Sequence, residues 1–348
     1  MAAGLPTTCV VGSGSWGTAF AGLMAGQAAE VRLWCRSAEV AYAVNATRRN
    51  PRHLTGYELP GNVIATSDAA AALCAVGAVV LALPSTHLRD VCCALAPHVA
   101  PDVPVLVLTK GMEPGTHQLM LDVAAAELGH AERMAVLSGP NHAEEICLGQ
   151  VSAAVLACGS PEVGERLRGL VATPSFRVYA SDDVTGVEVC GAMKNVVAIA
   201  CGIAAGLGAG DNTQAVLMTR GIAEIGRVSD ALGGSPLTPM GLAGMGDLVA
   251  TCTSAHSRNR TFGEAFVAGE GLAAYEARTG MVVEGAHAAQ SFWELAREHG
   301  IEAPLTCAVH DVLVDGLDLA SASASLLGRL PREEFYGLSR TTESKGII

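Results

Sequence analysis

Short runs of β-branched and aliphatic residues alternate with alanine-rich stretches through the first half of the chain. Each apolar run ends in a turn, and a stretch of helical length follows it. Such alternation is typical of βαβ units that build a parallel sheet. The runs that predict strands are residues 8–11, 31–35, 78–83, 105–109, 134–137, 153–157 and 176–179. We therefore expect an α/β fold with a doubly wound, Rossmann-type sheet.

The pattern changes after Ser181. Residues 184–207 and 213–232 are rich in alanine, valine and leucine, have helical length, and enclose no convincing strand. We therefore place a domain boundary here, with the sheet domain over residues 1–181 and an all-helical domain over residues 182–348.

Composition narrows the class of protein. Half of the residues are hydrophobic and 16% are charged, which is the composition of a folded chain rather than a disordered one. The 22 Lys and Arg residues against 34 Asp and Glu residues leave a net charge of −12. Because a chain this acidic has no general attraction for nucleic acid or anionic lipid, we expect neither as a partner. Any phosphate must be bound by a local cluster of basic groups.

Several features predict a cytoplasmic protein with no membrane span. The N-terminus lacks the basic region of a signal peptide. The least charged stretch, residues 69–88, is interrupted by Gly77 and Pro84, and we predict a helix followed by a buried strand there. The eleven cysteines, among them Cys74 and Cys190, lie in apolar stretches and form no C-x-x-C pair. We therefore expect reduced thiols that fill the core, and no metal site.

A G-x-G-x-x-G motif, formed by Gly12, Gly14 and Gly17, connects the first predicted strand to a predicted helix. In such a motif the first glycine allows a tight turn, and the second lets the backbone approach a pyrophosphate. The third allows the helix to pack closely on the strand, while the free N–H groups of the helix face the anion. The sequence therefore predicts that the first domain binds a dinucleotide.

Arg36 follows the second predicted strand, where an NAD site usually has an acidic residue that holds the ribose 2′-hydroxyl. A positive charge is wrong for that contact and suits a 2′-phosphate. The sequence therefore favours NADP, or the use of both cofactors. The alternative is an ordinary surface arginine.

Lys194 is the only charged residue between residues 189 and 210, and its neighbours at helical spacing are apolar or small. Removal from water lowers the pKa of a lysine, which makes it useful as an acid or base near neutral pH. The alternative is a lysine whose ammonium reaches the edge of the helix or pairs with a carboxylate.

Other candidates stand where predicted elements begin or end. Lys110 closes an apolar strand, and ligands of doubly wound folds gather at the carboxyl ends of strands. Asp247 precedes a stretch of helical length, either as a functional carboxylate or as a helix N-cap. Arg258 and Arg260 flank Asn259, and two guanidinium groups there suit an anion; a solvated loop is the alternative.

Taken in order, the following motifs resemble those of the bacterial-type NAD(P)-dependent glycerol-3-phosphate dehydrogenase family: GSGSWG, LALPS, LTKGM, LSGPNHAEEI, GAMKNVVAIACG, GLAGMGDLVATC, SRNRTFG and VVEG. The resemblance runs from about Thr7 to about Pro331. It implies reversible hydride transfer between NAD(P)H and dihydroxyacetone phosphate. The product, sn-glycerol 3-phosphate, is the backbone donor for phospholipid synthesis.

The resemblance also implies roles for matched residues. Lys194 would be the catalytic acid and base, Lys110 a fixed positive charge at substrate and cofactor, and Asp247 the group that orients Lys194 or a substrate hydroxyl. The implied substrate-binding residues are Lys110, Gly139, Asn141, Lys194, Asp247, Ser257, Arg258 and Asn259. The cofactor-binding residues expected from the motif and the resemblance are Gly12, Gly14, Ser15, Trp16, Gly17, Arg36, Lys110, Ala143, Arg258, Val282 and Glu284.

Two rival functions stay open on the sequence. Another β-hydroxyacid-type dehydrogenase would bind a carboxylate at Arg258, whereas a nucleotide-sensing module would keep the fold without turnover. A sensor would have no need for a lysine on an apolar face. A chain this hydrophobic is also expected to self-associate, as a homodimer. The tail from Arg332 to Ile348 matches no part of the family pattern.

Overall fold

The computed structural model describes residues 5–334 and 336–338. The chain divides into two compact units, Met1–Gly191 and Ala192–Ile348, which we call the sheet unit and the helical unit. The division falls ten residues after the predicted boundary, inside a long helix whose first turns pack on the sheet unit.

One eight-stranded sheet forms the centre of the sheet unit. Its strands are β1 (Thr7–Val11), β2 (Glu30–Trp34), β3 (Val63–Thr66), β4 (Ala78–Leu81), β5 (Val105–Val107), β6 (Met134–Ser138), β7 (Ser152–Cys158) and β8 (Phe176–Ser181). They lie in the order β3-β2-β1-β4-β5-β6-β7-β8. The chain therefore leaves β1 in one direction and returns past it to β4, as a doubly wound fold requires. The predicted fold class is confirmed.

The sheet differs from the prediction at its two ends. Strand β3 was not predicted, because it has only four residues at an edge and its Ile64 is exposed. At the other end β7 runs antiparallel to β6, with Val136 opposite Ala157, and β8 runs parallel to β7. The alternation of apolar runs and helices does not report strand direction, so a reversal of this kind leaves no trace in the pattern.

The central strands are continuous apolar runs because helices cover both faces of a parallel sheet. Every residue of β4 and β5 is buried. The helices of this unit are α1 (Ser15–Met24), α2 (Ala38–Thr47), α3 (Ala69–Leu73), α4 (Leu88–Leu95), α5 (Met120–Leu128), α6 (Ala143–Cys147) and α7 (Pro161–Val171). Helix α3 and strand β4 confirm the helix and buried strand predicted for residues 69–88.

The described residues after Ser181 contain helices and no strand, as predicted. The helices are α8 (Val184–Gly206), α9 (Asp211–Ala231), α10 (Asp247–Thr253), α11 (Arg258–Val267), α12 (Leu272–Thr279), α13 (Glu284–His299), α14 (Pro304–Leu313) and α15 (Leu319–Leu327). Helix α8 begins in the sheet unit and continues into the helical unit. Within the described part of the chain it is the one helix long and apolar enough to cross a membrane, and 72% of its apolar window is buried in the protein.

All eleven cysteines are free thiols. Seven are buried and fit the expected role of core residues. The prediction is wrong for Cys74 and Cys93, which are exposed. Cys74 directly follows α3, where an apolar neighbourhood in the sequence coincides with a turn at the surface.

The start of the tail packs on α9. The guanidinium carbon of Arg227 lies 4.6 Å from the ring centroid of Tyr336, and Arg220 donates a hydrogen bond to the backbone oxygen of Glu334 at 3.1 Å. Residues 339–348 of the tail lie outside the described residues.

Helices α8 and α11 approach each other closely at Gly202 and Gly263. A Cβ atom at Gly202 would overlap the backbone oxygen of Arg260, and one at Gly263 would lie 2.7 Å from the backbone nitrogen of Ile203. Since backbone atoms cannot rotate away as a side chain can, neither position has room for a methyl group. This crossing therefore fixes the separation of the helix that carries Lys194 from the helix that carries Arg258.

We expect Gly263→Ala to lower stability by about 1–3 kcal/mol, because the two backbones must separate. Gly169→Ala is the matched control: Gly169 lies in the exposed interior of α7 with nothing within 4 Å of its Cβ position, so alanine there should stabilise by about 0.5–1 kcal/mol. Thermal unfolding of both variants measures the effects. Equal melting temperatures for the two would show that the helix crossing is not tightly packed.

Candidate active site

The glycine motif forms the turn between β1 and α1. Gly12 has φ +109°, and a Cβ atom there would overlap the backbone oxygen of Ala82. A Cβ atom at Gly17 would overlap the backbone oxygen of Gly12. Gly14 differs, because its Cβ position meets nothing within 4 Å. Two glycines are thus required by the fold, and the third leaves the backbone open to a ligand.

The amino end of α1 fits an anion. Gly14 is its N-cap residue, and no side chain caps the helix there. Ser15 and Trp16 are the first two residues of α1, and the Trp16 ring packs edge-on against Phe20 with 5.2 Å between centroids. Free N–H groups beside an open glycine are the arrangement that accepts a pyrophosphate. These residues therefore fit the predicted dinucleotide.

Asn50 fastens this turn and was not found by the sequence reasoning. Its amide nitrogen donates to the backbone oxygen of Ser13 at 2.8 Å and to the Thr18 hydroxyl oxygen at 2.9 Å. Asn50 is fully buried. The asparagine lies 37 residues from Ser13, outside any local motif, so only the folded chain shows the contact.

Arg36 is exposed two residues after the end of β2. It has no ion-pair partner among residues 5–334 and 336–338. Ser37 caps α2 by accepting a hydrogen bond from the Val40 N–H, so the backbone around the arginine is ordered by the helix that follows. The guanidinium is therefore free of competing carboxylates at the position where the second strand ends.

Lys110 follows β5 and lines a small cavity in the sheet unit. The polar residues of its lining are Thr109, Lys110, Ser138 and Glu188. Gly191, in the second turn of α8, also lines it, and a Cβ atom there would lie 3.4 Å from Cγ of Lys110 and 3.0 Å from the Ser138 hydroxyl oxygen. The absence of a side chain at Gly191 thus makes room for the stem of the lysine.

The three matched residues near β6 have different surroundings. Gly139 has φ +157°, and a Cβ atom there would lie 2.7 Å from the backbone oxygen of Ala153, so the fold itself requires this glycine. Asn141 donates its amide nitrogen to the same oxygen at 3.1 Å, while its Oδ1 is buried and accepts no hydrogen bond. A buried acceptor without a donor is costly unless a ligand satisfies it. Ala143, the first residue of α6, is buried.

Lys194 lies in the helical unit within a buried ion pair. Its Nζ is 2.5 Å from Oδ1 of Asp247 and donates to Oγ1 of Thr251 at 2.8 Å. The side chains of Lys194 and Asp247 are 9% and 3% exposed. The Thr251 hydroxyl donates to the backbone oxygen of Asp247 at 2.6 Å, so its lone pair faces the ammonium. The carboxylate partner considered for Lys194 is therefore present, and it is Asp247.

Asp247 reaches this position through an irregular turn. Residues Leu242–Gly246 form a single π-helical turn, and Asp247 is the first residue of α10. A Cβ atom at Gly244 would overlap the backbone of Pro239, so the turn depends on a glycine. The alternative reading of Asp247 as an N-cap is wrong: Gly246 holds that position, with helical φ and ψ.

The predicted anion loop has a different role for each residue. Ser257 caps α11 by accepting from the Arg260 N–H at 3.3 Å. Arg260 forms an ion pair with Glu264 at 2.8 Å, which corrects the expectation of two arginines on one anion. Arg258 is exposed at the first position of α11 and has no ion-pair partner in the described part of the chain.

Asn259 connects three helices. Its amide nitrogen donates to Oδ1 of Asn195 at 3.0 Å, and its Oδ1 accepts from the N–H of Gly285 at 2.9 Å. Asn195 is the residue after Lys194, so α11 and α13 hold the turn of α8 that carries the lysine. Glu284 begins α13 and Val282 lies two residues before it, both partly buried.

Sequence reasoning missed Thr251 and Asn195. Thr251 stands four residues after Asp247, on the same face of α10, which is a signal that helical spacing could have supplied. Nearby, a hydrogen bond with Cys201 and burial raise the pKa of the Cys252 thiol. That thiol stays protonated and does not compete with Lys194 as a base.

We expect Lys194→Met to destabilise the protein by about 3–5 kcal/mol, because it removes the ammonium that pairs with the buried Asp247 charge. Adding Asp247→Asn should recover most of that loss. Arg168→Met, which breaks an exposed pair with Glu165, should change stability by less than about 1 kcal/mol. Thermal unfolding of the wild type and the three variants checks the order of stability; a double variant as unstable as Lys194→Met would contradict the buried pair.

Comparison with known proteins places this arrangement in a family. The family model for the N-terminal part of NAD-dependent glycerol-3-phosphate dehydrogenase matches residues 7–163, and the model for its C-terminal part matches residues 183–324. The chain is 48% identical over 332 residues to glycerol-3-phosphate dehydrogenase [NAD(P)+] of Nocardia farcinica, covering 93% of this chain and 98% of that one. The protein of the same name from Streptomyces griseus is 46% identical over 326 residues, with 93% and 97% covered.

A solved structure agrees with the sequence matches. The crystal structure of glycerol-3-phosphate dehydrogenase from Coxiella burnetii superimposes with a TM-score of 0.88 at 38% identity, covering 93% of this chain and 99% of that one. The two family models and the solved structure all point to one family, and together they cover both units. The chain belongs to the NAD(P)-dependent glycerol-3-phosphate dehydrogenases.

Proposed function

We propose that this protein interconverts sn-glycerol 3-phosphate and dihydroxyacetone phosphate with NAD(P) as cofactor. The observation that carries the proposal is the buried pair of Lys194 and Asp247, because a protein that only binds nucleotides has no need of a buried ammonium. Relatives at 46% and 48% identity bear the name of this activity. The product serves glycerophospholipid synthesis.

The chain's own residues fit the cofactor. Gly14, Ser15 and Trp16 would hold the pyrophosphate at the amino end of α1, and the orphaned Oδ1 of Asn141 would accept a hydrogen bond from cofactor or substrate. The bound NAD(P) supplies the site that gives up or takes up a hydride. For Ala143, Val282 and Glu284 we propose cofactor contacts on the family resemblance alone.

Lys194 handles the proton. During reduction the carbonyl oxygen of the substrate gains negative charge, and an ammonium beside it stabilises that charge and then donates a proton. During oxidation the neutral amine takes the proton from the hydroxyl group. Asp247 and Thr251 fix the direction of the Nζ atom. For Lys110 we propose, on the family resemblance, a fixed positive charge at substrate and cofactor.

Arg258 would recognise the phosphate. It has no ion-pair partner among the described residues, and it lies at the amino end of α11, where a guanidinium and the helix N-terminus both favour an anion. The Ser257 hydroxyl caps α11, and the Asn259 amide nitrogen donates to Asn195. We propose that both residues shape this site and contact the substrate through their other atoms.

The test compares substrates and arginines. We expect NAD(P)H oxidation with dihydroxyacetone phosphate, and little with dihydroxyacetone or a β-keto acid. Arg258→Ala should raise KM for the phosphate substrate by about 10- to 100-fold, since a hydrogen-bonded charge pair is worth about 1.5–3 kcal/mol. Arg260→Ala is the matched control and should change KM by no more than a few-fold. Faster turnover of the β-keto acid would instead favour the hydroxyacid dehydrogenase, and cofactor binding without any turnover would favour the sensor.

We propose that Arg36 accepts the 2′-phosphate of NADP and makes that cofactor the preferred one, with NAD also used. Its exposed guanidinium at the end of β2 supports this. In Arg36→Ala, kcat/KM should fall for NADPH and stay unchanged for NADH, so the ratio of the two values falls. An unchanged ratio would make Arg36 an ordinary surface residue.

We infer a cytoplasmic enzyme in which α8 is a core helix, because most of its apolar window is buried and every thiol is free. We also propose a homodimer, since large apolar side chains such as Leu148 and Val151 are more than three quarters exposed. Sedimentation of the purified chain at the mass of one copy would contradict the dimer.

A further inference from the structure

Glu188 on α8 caps a helix that has no cap of its own. Its Oε1 accepts a hydrogen bond from the N–H of Leu121 at 2.8 Å, and the N–H of Met120 bonds to the same carboxyl group. These are the first two residues of α5, whose N-cap position is taken by Leu119, a residue without a polar side chain. The cap that local sequence normally supplies therefore comes from a helix 67 residues away.

Helix α5 ends the segment that begins with Lys110. The chain leaves β5 at Val107, passes through Lys110, and closes on itself where Met112 and Leu119 form an isolated bridge. Helix α5 starts at the next residue. The carboxyl group of Glu188 thus holds the far end of the loop, at the point where the loop becomes a helix.

The same face of α8 also contacts the near end of the loop. Gly191 stands three residues after Glu188, and residues at this spacing lie on one face of a helix. Its Cβ position is 3.4 Å from Cγ of Lys110, and both Glu188 and Gly191 line the cavity that Lys110 lines. One turn of α8 therefore sets both the start of α5 and the space available to the lysine.

We propose that Glu188 is a positioning residue for Lys110: by capping α5 it fixes the loop that presents the lysine to substrate and cofactor. This proposal rests on the role given to Lys110 under the proposed function. The alternative is a cap that contributes stability alone, as Glu224 does in the helical unit, where it accepts the N–H groups of Leu305 and Thr306 at the start of α14 at 2.8 and 2.9 Å.

Charge supports the assignment. Burial raises the pKa of Glu188 from 4.5 to about 8, and the nearby carboxylate of Asp122 on α5 adds to the shift. Asp122 is the charged group that acts on Glu188, and Lys110 lines the same cavity. At neutral pH the residue is therefore a neutral acid whose Oε1 still accepts the hydrogen bond, so glutamine is a close mimic and alanine is not.

The test is a double-mutant cycle between Glu188 and Lys110. We expect Glu188→Ala to lower kcat/KM about tenfold in the wild-type background and less than about twofold in Lys110→Ala, because the cap acts through the lysine. Glu188→Gln should restore wild-type kcat/KM at pH 7. Glu224→Ala is the matched control. It removes a different helix cap, and it should change kcat/KM by the same factor in both backgrounds. If Glu188→Ala does not fold, Glu188→Asp takes its place, because the aspartate side chain is one methylene shorter and its oxygens do not reach the N–H groups of α5.

Equal losses from Glu188→Ala in the two backgrounds would overturn the proposal and leave Glu188 as a structural cap. Lys110→Ala with unchanged kcat/KM would overturn the proposed role of Lys110 as well, which distinguishes the two failures.

A second readout follows from the proton. The folded protein keeps a proton on Glu188 between about pH 4.5 and pH 8 that the unfolded chain releases, so stability falls as pH rises through this window. Glu188→Gln should remove that part of the pH dependence, and an unchanged slope of stability against pH would contradict a protonated Glu188 in the folded protein.

Discussion

The helical unit is organised around one charge that has been removed from water. Asp247 and Thr251, both on α10, hold the ammonium on the apolar helix α8. A single π-helical turn delivers Asp247 to the start of that helix. Asn259 then ties α11 and α13 to Asn195, the neighbour of the lysine. The irregular turn and the asparagine contacts thus hold the part of the helical unit that carries the Lys194 nitrogen atom.

In the sheet unit, glycines leave the backbone open to close approach by a ligand. Gly12 and Gly17 allow the turn after β1 to close, Gly14 stays open, and Asn50 holds the result in place. On α8, the absence of a side chain at Gly191 leaves room for the stem of Lys110. Asn50 is a polar side chain that fixes backbone, and the ligand contacts that we propose in this unit use backbone N–H groups and Oδ1 of Asn141.

Features that depend on neighbours in the chain were predictable. The glycine motif, the central strands and the long helices follow from local pattern, and the resemblance supplied the family and a role for Asp247 at Lys194 or at a substrate hydroxyl. Features that depend on distant partners were not. Asn50, Glu188 and Asn195 contact groups 32 to 67 residues away, and no spacing rule relates those positions.

The remaining errors have local causes. Strand β3 is short and lies at the edge, so its apolar pattern is weak. Arg260 looked like a second phosphate ligand because it stands two residues from Arg258, but at helical spacing Glu264 is its natural partner. Cys74 lies in an apolar stretch that a turn brings to the surface.

We infer that the ammonium of Lys194 performs chemistry and is not retained for stability. The Lys194→Met, Asp247→Asn double variant is the sharpest test, because we expect it to fold with a neutral core that lacks the proton donor. We expect intact NADPH binding and a loss of at least ~10² in kcat for reduction of dihydroxyacetone phosphate. Turnover within a few-fold of the wild type would show that the pair is structural and that another group moves the proton.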